Sequence, residues 1–459
     1  MKWVLLICLA WIGAAQAETR VPSSSAEIAL SFAPLVQEAA PAVVNIYARR
    51  VVESRRRSPF ANDPFFRDFF REFGQTRPRI QNSLGSGVIL SADGIVVSNY
   101  HVVGQATDIR VVLKDRREFS ARVLLGDEES DLAILQLEGA QDMPHLALRD
   151  SNTVEVGELV LAIGNPFGVG QTVSSGIVSG LARSGTATGN GRGYFIQTDA
   201  PINPGNSGGA LVDMQGRLIG VNTSILTRSG GSNGIGFAIP ASLVAQFVTQ
   251  ARAGAGAFLR PWAGITGQAV SADLAESLGL QIPEGVVVAE LHPASPFVVA
   301  GLAPGDVITQ VDRLPVNTPA EMLFHMSVKG IGAEAEITFL RGGLPSTVSV
   351  PLILPPDVPD REAMVLGRRD ILEGLALARV NPAVSSELGL PIQSEGVVVT
   401  DPGPLGARVG LRLGDLVLGV DGRAVDRPTD MARALRRAAG STTIVVNRQG
   451  RRVTLRFRI

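Results

Sequence analysis

The chain has 459 residues, 45% hydrophobic and 19% charged, and its 42 basic and 43 acidic residues leave a formal net charge of -1. That balance excludes a disordered polyelectrolyte and gives no overall field to recruit nucleic acid or an anionic membrane. The length allows about three domains at the usual ~150 residues each, and 51 glycines and 28 prolines favour many turns and short strands, hence a mainly β fold.

Residues 1–17 read as a secretory signal peptide: Lys2 as the charged region, Trp3 to Ala15 as the apolar run, Ala15-Gln16-Ala17 as an A-x-A cleavage site. The rival reading is an uncleaved anchor, but an apolar run of about 13 residues falls short of the ~20 that span a bilayer. The single cysteine, Cys8, lies inside this segment, so the mature chain from Glu18 is expected to have no disulfide, no thiolate nucleophile and no cysteine metal ligand. Such a chain suits an oxidising exported compartment, and the bacterial periplasm is expected.

After an N-terminal segment (18–40) the sequence becomes strand-like. Short β-branched runs occur at Val43 to Ile46, Gly87 to Leu90, Ile95 to Val97, Ile109 to Val112 and Ala133 to Leu135, separated by turn signals such as Asp93-Gly94 and Lys114-Asp115. A second series follows at Leu159 to Ile163, Thr172 to Val178, Phe195 to Thr198, Ala210 to Val212 and Leu218 to Asn222. Two tandem β units are expected over 41–256, closed by a helix near Ala241 to Ala251 whose Val244, Phe247, Val248 and Ala251 share a face. Between the first strands, Arg55-Arg56-Arg57 reads as a solvated loop. Phe60 to Phe73 sets many phenylalanines among charges, as either a local mini-core or a contact with another subunit.

The last 200 or so residues contain a repeat. Leu278-Gly279-Leu280 recurs as Leu388-Gly389-Leu390, Glu284-Gly285-Val286-Val287-Val288 as Glu395-Gly396-Val397-Val398-Val399, and Gly301-Leu302…Gly305-Asp306 as Gly410-Leu411…Gly414-Asp415. Each copy, 257–354 and 369–459, orders strand, Gly-Leu-x-x-Gly-Asp turn, strand, amphipathic helix (Pro319 to Val328; Pro428 to Ala438) and final strand, with a proline-rich linker at 355–368 between them. This order resembles a PDZ domain in a circularly permuted arrangement.

The chemistry centres on Asp199 to Val212, DAPINPGNSGGALV. A serine between glycines, Gly205-Asn206-Ser207-Gly208-Gly209, suits a nucleophile on a tight turn, because glycine lets backbone N–H groups approach a developing oxyanion. Alone, the string fits an ordinary hairpin turn equally well, so the partners decide. A serine nucleophile needs a base and a carboxylate to orient that base. Of the four histidines, His101 lies at a strand end in the first β unit, while His145, His292 and His325 read as surface or packing residues. Asp131 directly precedes the apolar run Leu132 to Leu135, and Asp127, Glu128 and Glu129 before it read as a solvated turn. The order His, Asp, Ser, with the nucleophile in the second unit, is that of two-barrel serine proteases.

Asn99-Tyr100-His101-Val102-Val103, Ser130-Asp131-Leu132-Ala133-Ile134-Leu135 and DAPINPGNSGGAL, with Gly164-Asn165-Pro166-Phe167-Gly168 and Gly234 to Pro240, resemble the HtrA/Deg (Do) family of trypsin-fold serine proteases carrying PDZ domains. The likeness covers essentially the whole mature chain. It departs at Ser98, where the family usually has threonine, and the regulatory loop that matches Ala48 to Ser83 is shorter than in the longest members and lacks their cysteines. The resemblance implies a double β-barrel protease followed by two α+β PDZ domains. It places the triad on His101, Asp131 and Ser207 and the oxyanion hole on the N–H groups of Gly205 and Ser207. It also implies an ATP-independent endopeptidase acting on unfolded or misfolded envelope proteins, often with chaperone activity, and a homo-oligomer built from trimers. No metal, nucleotide or other cofactor motif is evident.

In two-barrel proteases the residue six before the serine floors the specificity pocket. Here it is Pro201, with Ile202, Ile225 and Leu226 as walls, so small or medium aliphatic residues are expected before the cut and arginine or lysine is not. Capture of free peptide C-termini is expected from the first repeat, through the apolar-Gly-apolar loop Trp262-Ala263-Gly264-Ile265. In the second repeat the matching Leu372-Glu373-Gly374-Leu375 sets an anion beside the carboxylate position. That repeat is expected to bind weakly, unless Glu373 points outward.

Overall fold

The computed structural model describes residues 31–52, 79–165, 170–184, 194–203, 205–225, 234–368, 370–438 and 440–458. The signal segment, Arg55 to Arg57, the stretch Phe60 to Phe73, Pro166 to Gly168 and Leu226 lie outside them. Among the described residues no helix is long and apolar enough to cross a membrane.

The first β series forms a closed barrel of β1 (Val43–Val52), β2 (Arg79–Ile89), β3 (Ile95–Ser98), β4 (Asp108–Val112), β5 (Glu118–Asp127) and β6 (Leu132–Leu137), joined in the order β1-β2-β3-β6-β5-β4. The second closes a barrel of β7 (Leu159–Gly164), β8 (Thr172–Ser184), β9 (Tyr194–Thr198), β10 (Ala210–Val212), β11 (Leu218–Ile225) and β12 (Gly236–Pro240), in the order β10-β11-β12-β9-β8-β7.

Successive residues of a strand point to opposite faces. On β1, Val43 faces the core between the barrels while Val44 and Ile46 fill the first barrel; on β6, Leu132 and Ile134 face outward while Ala133 and Leu135 face in. The second barrel repeats this, with Leu161, Ile163, Ala210 and Val212 outward and Val160, Ala162 and Leu211 inward. Both faces are therefore dry, which is why these strands read as unbroken apolar runs instead of alternating ones. The Ala241–Arg252 helix buries Leu243, Val244, Phe247 and Ala251 in the shared core, and Phe247 stacks on Phe258 at 3.9 Å where the chain leaves the protease unit.

The two repeats form open sheets. In the first, β13 (Ile265–Ala269), β14 (Val286–Leu291), β15 (Val307–Val311), β17 (Glu334–Arg341) and β18 (Leu344–Pro351) lie in that order, with β16 (Leu314–Pro315) on β15. In the second, β19 (Met364–Val365), β20 (Ala376–Arg379), β21 (Val397–Asp401), β22 (Leu416–Val420), β24 (Ser441–Arg448) and β25 (Arg451–Arg458) follow one another, with β23 (Arg423–Ala424) on β22. Part of the segment expected as a linker, Met364–Val365, thus belongs to the second sheet.

The duplicated Gly-Asp turn has one physical purpose in both copies. Asp306 is 2% exposed, accepts the Ala303 N–H and pairs with Arg341 at 2.7 Å, while Arg341 also donates to the Gly301 carbonyl. Asp415, Arg412, Arg448 and Gly410 repeat the arrangement. A buried carboxylate held by backbone N–H and a guanidinium fork locks the turn to the last hairpin.

The first repeat packs on the protease unit through its Pro319–Lys329 helix. Gln246 donates to the Val328 carbonyl at 2.8 Å, and Arg260 pairs with Asp127 at 2.5 Å. Asp127 therefore does not lie in a solvated turn as expected: it ends β5, and its side chain is only 15% exposed against Arg260.

Candidate active site

His101 lies on a single helical turn, Tyr100–Val103, that follows β3 directly. Asp131 stands at the entrance to β6 with φ +54, a left-handed conformation that aspartate tolerates better than most residues. Two bonds fix that backbone, because its carbonyl accepts the Tyr100 N–H at 3.1 Å and the Asn99 side-chain amide at 3.0 Å. Its carboxylate consequently faces His101. Oδ1 accepts the His101 backbone N–H at 3.0 Å, and Nδ1 lies 2.9 Å from Oδ1 and 2.8 Å from Oδ2. An imidazole so held carries its proton on Nδ1 and turns a basic Nε2 outward.

The carboxylate holds a second group. Thr223, on β11, donates its hydroxyl to Asp131 Oδ2 at 2.7 Å, and its carbonyl accepts the Ser207 hydroxyl at 2.9 Å. One residue thereby ties the nucleophile turn of the second barrel to the base-carboxylate pair of the first. The Ser207 hydroxyl thus donates to a carbonyl of the same residue that holds the carboxylate. Sequence reading gave Thr223 no role; the signal it missed was a hydroxyl on the strand pairing with the nucleophile's own strand.

The turn itself is clamped from both barrels. Ser86 donates its N–H to the Ser207 carbonyl at 2.9 Å and its hydroxyl to the Gly205 carbonyl at 2.6 Å. Gly208 has φ +82, and a Cβ there would fall on the Ser86 carbonyl, so no other residue fits. The N–H groups of Asn206, Gly208 and Gly209 bond to the carbonyls of Asn203, Asn222 and Asn206. Those of Gly205 and Ser207 have no acceptor among the described residues, so both are left available as donors.

The electrostatics of the pair are mutual. Burial lowers the His101 pKa, but the Asp131 charge and hydrogen bond raise it more, so the imidazole stands above its ordinary value. Burial raises the Asp131 pKa, but His101 and the Thr223 hydroxyl lower it more, so the carboxylate stands below its ordinary range. Both shifts favour imidazolium beside carboxylate, the state formed when the base takes a proton from serine.

The expected pocket residues are placed differently from one another. Pro201 is exposed, and its carbonyl accepts the Ser174 hydroxyl at 2.6 Å. Ile202 is 1% exposed and packs with Val178, Ile196 and Ala238 inside the second barrel. Ile225 ends β11, and Leu226 lies outside the described residues. In the first repeat, Trp262 is anchored by its N–H to the Ile353 carbonyl at 2.8 Å, the Ala263 carbonyl accepts the Ser295 hydroxyl at 2.6 Å, Gly264 has φ +61 and Ile265 opens β13. Among the described residues no group of three or more His, Cys, Asp or Glu side chains is placed to hold a metal ion.

Comparisons with known proteins agree with this layout. Residues 85–221 match the trypsin-like peptidase domain, and residues 256–352 and 396–448 each match a PDZ domain. The periplasmic pH-dependent serine endoprotease DegQ of Escherichia coli K12 is 36% identical over 423 residues, 92% of this chain and 90% of that protein. The periplasmic serine endoprotease DegP of the same strain is 34% identical over 454 residues, 94% of this chain and 92% of that protein. Among solved structures, the HtrA-type protease AlgW with a decapeptide is 41% identical, covers 71% of this chain and 99% of its own, and superposes with a TM-score of 0.52.

Proposed function

The chain belongs to the HtrA/Deg family of trypsin-fold serine endopeptidases with PDZ domains, and from that premise we propose that it degrades unfolded or misfolded proteins in the periplasm by a Ser-His-Asp acyl-enzyme mechanism. Ser207 Oγ attacks the scissile carbonyl, His101 takes its proton and returns it to the leaving amine, and Asp131 holds the imidazole tautomer. The N–H groups of Gly205 and Ser207 stabilise the oxyanion. The observation that supports this most directly is the Asp131 carboxylate, bound at once to the His101 imidazole and, through Thr223, to the nucleophile turn.

A cleaved signal peptide ending at Ala17 delivers the mature chain, a trimer or multiple of trimers holds substrate, and chaperone activity accompanies proteolysis. The envelope-stress proteases and non-proteolytic PDZ scaffolds are the alternatives, and a complete triad speaks against the scaffold. Cleavage follows valine, alanine or isoleucine, because the positions expected at the pocket, Pro201, Ile202, Ile225 and Leu226, include no carboxylate to serve a basic side chain as counter-ion.

Incubating the mature protein and its Ser207→Ala variant with casein tests the reading. The variant should lose cleavage by several orders of magnitude while keeping its fold. Near-equal rates would overturn the assignment of the nucleophile. Mapping the cut sites by mass spectrometry tests specificity, and a majority of cuts after arginine or lysine would overturn the pocket.

A further inference from the structure

The two repeats differ at the edge where a PDZ module takes its ligand. Such a module adds an extended peptide to a sheet edge, captures the terminal carboxylate with backbone N–H groups of its apolar-Gly-apolar loop, and seats alternate side chains in pockets beside the groove helix. In the first repeat the strand that follows the loop, β13, ends the sheet. In the second repeat the equivalent strand, β20, is already paired on that side with β19, antiparallel, Met364 opposite Leu377 and Val365 opposite Ala376.

The pairing continues into the loop. Leu366 donates its N–H to the Leu375 carbonyl at 2.8 Å, and its own carbonyl accepts the Gly374 N–H at 2.8 Å. The Leu366 carbonyl thus occupies the place of a terminal carboxylate oxygen, on the loop glycine that corresponds to Gly264. The side chains alternate as a bound peptide's would. Met364 is half-buried, Val365 is 68% exposed, and Leu366 is 2% exposed among Leu372, Leu375, Leu377, Met431 and Leu435, the last two on the Pro428–Arg437 groove helix.

The segment is latched after it leaves the groove. Gly367 donates its N–H to the Asp370 carboxylate at 3.0 Å, Asp370 returns its N–H to the Gly367 carbonyl at 2.9 Å, and Arg436 on the groove helix pairs with Asp370 at 2.6 Å. Glu373, by contrast, is half-exposed, 3.8 Å from Arg368. Its charge is half in solvent with a guanidinium nearby, so like-charge repulsion on an incoming carboxylate is weakened and the expectation of weak binding needs another ground.

We propose that the second PDZ groove is a peptide-capture site closed in cis by Met364-Val365-Leu366, and that it takes a free C-terminus with an aliphatic last residue when this segment is displaced. The inference rests on the reading of the repeats as peptide-binding modules. A ligand tethered by a few residues acts at an effective concentration of about a millimolar or more, so a micromolar peptide of similar intrinsic affinity cannot replace it. The first repeat, with β13 unpaired on that side, has no such competitor among the described residues. The two modules therefore differ in availability more than in chemistry.

The test uses the full mature chain carrying Ser207→Ala, so that the probe is not cut, and a photoreactive decapeptide ending in Met-Val-Leu with a free carboxylate. Its amidated twin is the control, and cross-linked residues are mapped by mass spectrometry. Without further change, cross-links should fall on the first repeat alone. Leu366→Asp, which empties the pocket, and Asp370→Ala, which opens the latch and keeps Leu366, Leu372, Leu375, Leu377, Met431 and Leu435 unaltered, should each add cross-links at 374–379 and 428–437. The half-saturating concentration there should fall at least tenfold, and the amidated peptide should give none.

Equal capture by the second repeat with and without these changes would overturn the proposal. So would failure of both folded variants to capture peptide there; if the first repeat still cross-links, only the cis-ligand inference falls, and if neither repeat does, the reading of peptide capture falls with it. Hydrogen exchange on the chain with neither the Leu366 nor the Asp370 change decides independently of whether those variants fold. Slow exchange at the Leu366 and Gly374 amides is expected, and exchange at unstructured rates would show that the segment is not seated.

Discussion

Phe324, on the groove helix of the first PDZ domain, stacks on Tyr194 of β9 with ring centroids 3.9 Å apart and planes 8° from parallel. The contact crosses from one domain to another and is anchored in the protease core, where Phe324 is 6% exposed. Truncating a buried aromatic costs about 3 kcal/mol or more, so Phe324→Ala should loosen the first PDZ domain from the protease. Hydrogen exchange over 194–198 and 319–329 should accelerate together, while the second repeat keeps its rates. Unchanged exchange at β9 would show that the stack does not hold the domains together.

The neighbouring His325 makes the same interface sensitive to acid. Its imidazole is buried, which pushes its pKa down to about 4 despite the nearby Asp312 charge, itself paired with Lys329 at 2.9 Å. A released imidazole takes a proton below its ordinary 6.5 and the docked one only near 4, so docking weakens as pH falls through that window, up to about tenfold per pH unit. Burial also raises the Tyr194 hydroxyl to about 12 and raises the Glu321 carboxyl. Tyr194 stays neutral throughout, and Glu321 opposes the effect by favouring its own proton in the docked state. His325→Gln separates the two. Domain release on acidification, followed by hydrogen exchange at 319–329, should flatten in that variant, and an unchanged pH response would assign it elsewhere.

The catalytic pH profile follows from His101. The base must be neutral to accept the serine proton, and the Asp131 pairing raises its pKa above the ordinary imidazole value. The acid limb of kcat/KM should therefore lie above pH 6.5, with rate lost as pH falls through it. Asp131→Asn should move that limb down and cut kcat by about 10⁴. A limb well below 6.5 in the unaltered enzyme would contradict the pairing.

Thr223→Val removes one hydroxyl and keeps the shape. The lost bond is to a charged group and is worth about 1.5 kcal/mol, so kcat/KM should fall roughly tenfold while the melting temperature changes little. The acid limb should shift as well, because the Thr223 hydroxyl helps to keep the carboxylate ionised. A fall in kcat/KM without any movement of the limb would mean that Thr223 acts only through the Ser207 turn.

Barrel strands such as β3, β6, β7 and β10 were legible because they are buried on two faces, which concentrates apolar residues into runs such as Leu159 to Ile163. His101, Asp131 and Ser207, the proposed reacting groups, could be picked out because few residue types can do this chemistry and each stands beside a strand or turn signal. Thr223 was not, since its part depends on β11 running beside the nucleophile, a relation between distant segments. Neither was β19. Two residues inside a proline-rich stretch carry no periodicity, and only the pairing with β20 makes them a strand. Asp127 was misread because its partner, Arg260, lies over a hundred residues away.

The open sheets also differ in how they meet other extended chains. Unpaired strand edges invite aggregation, and proline or like charge blunts them. β25 ends the second sheet with Arg451, Arg452, Arg456 and Arg458 exposed along it, so a second copy of that edge meets repulsion. β18 ends the first sheet with proline at its second and last positions, and β19 covers β20. Among the described residues of the two open sheets, β13 is thus the edge that neither proline, a row of arginines nor a covering strand guards, which directs strand-by-strand recruitment to one address on them.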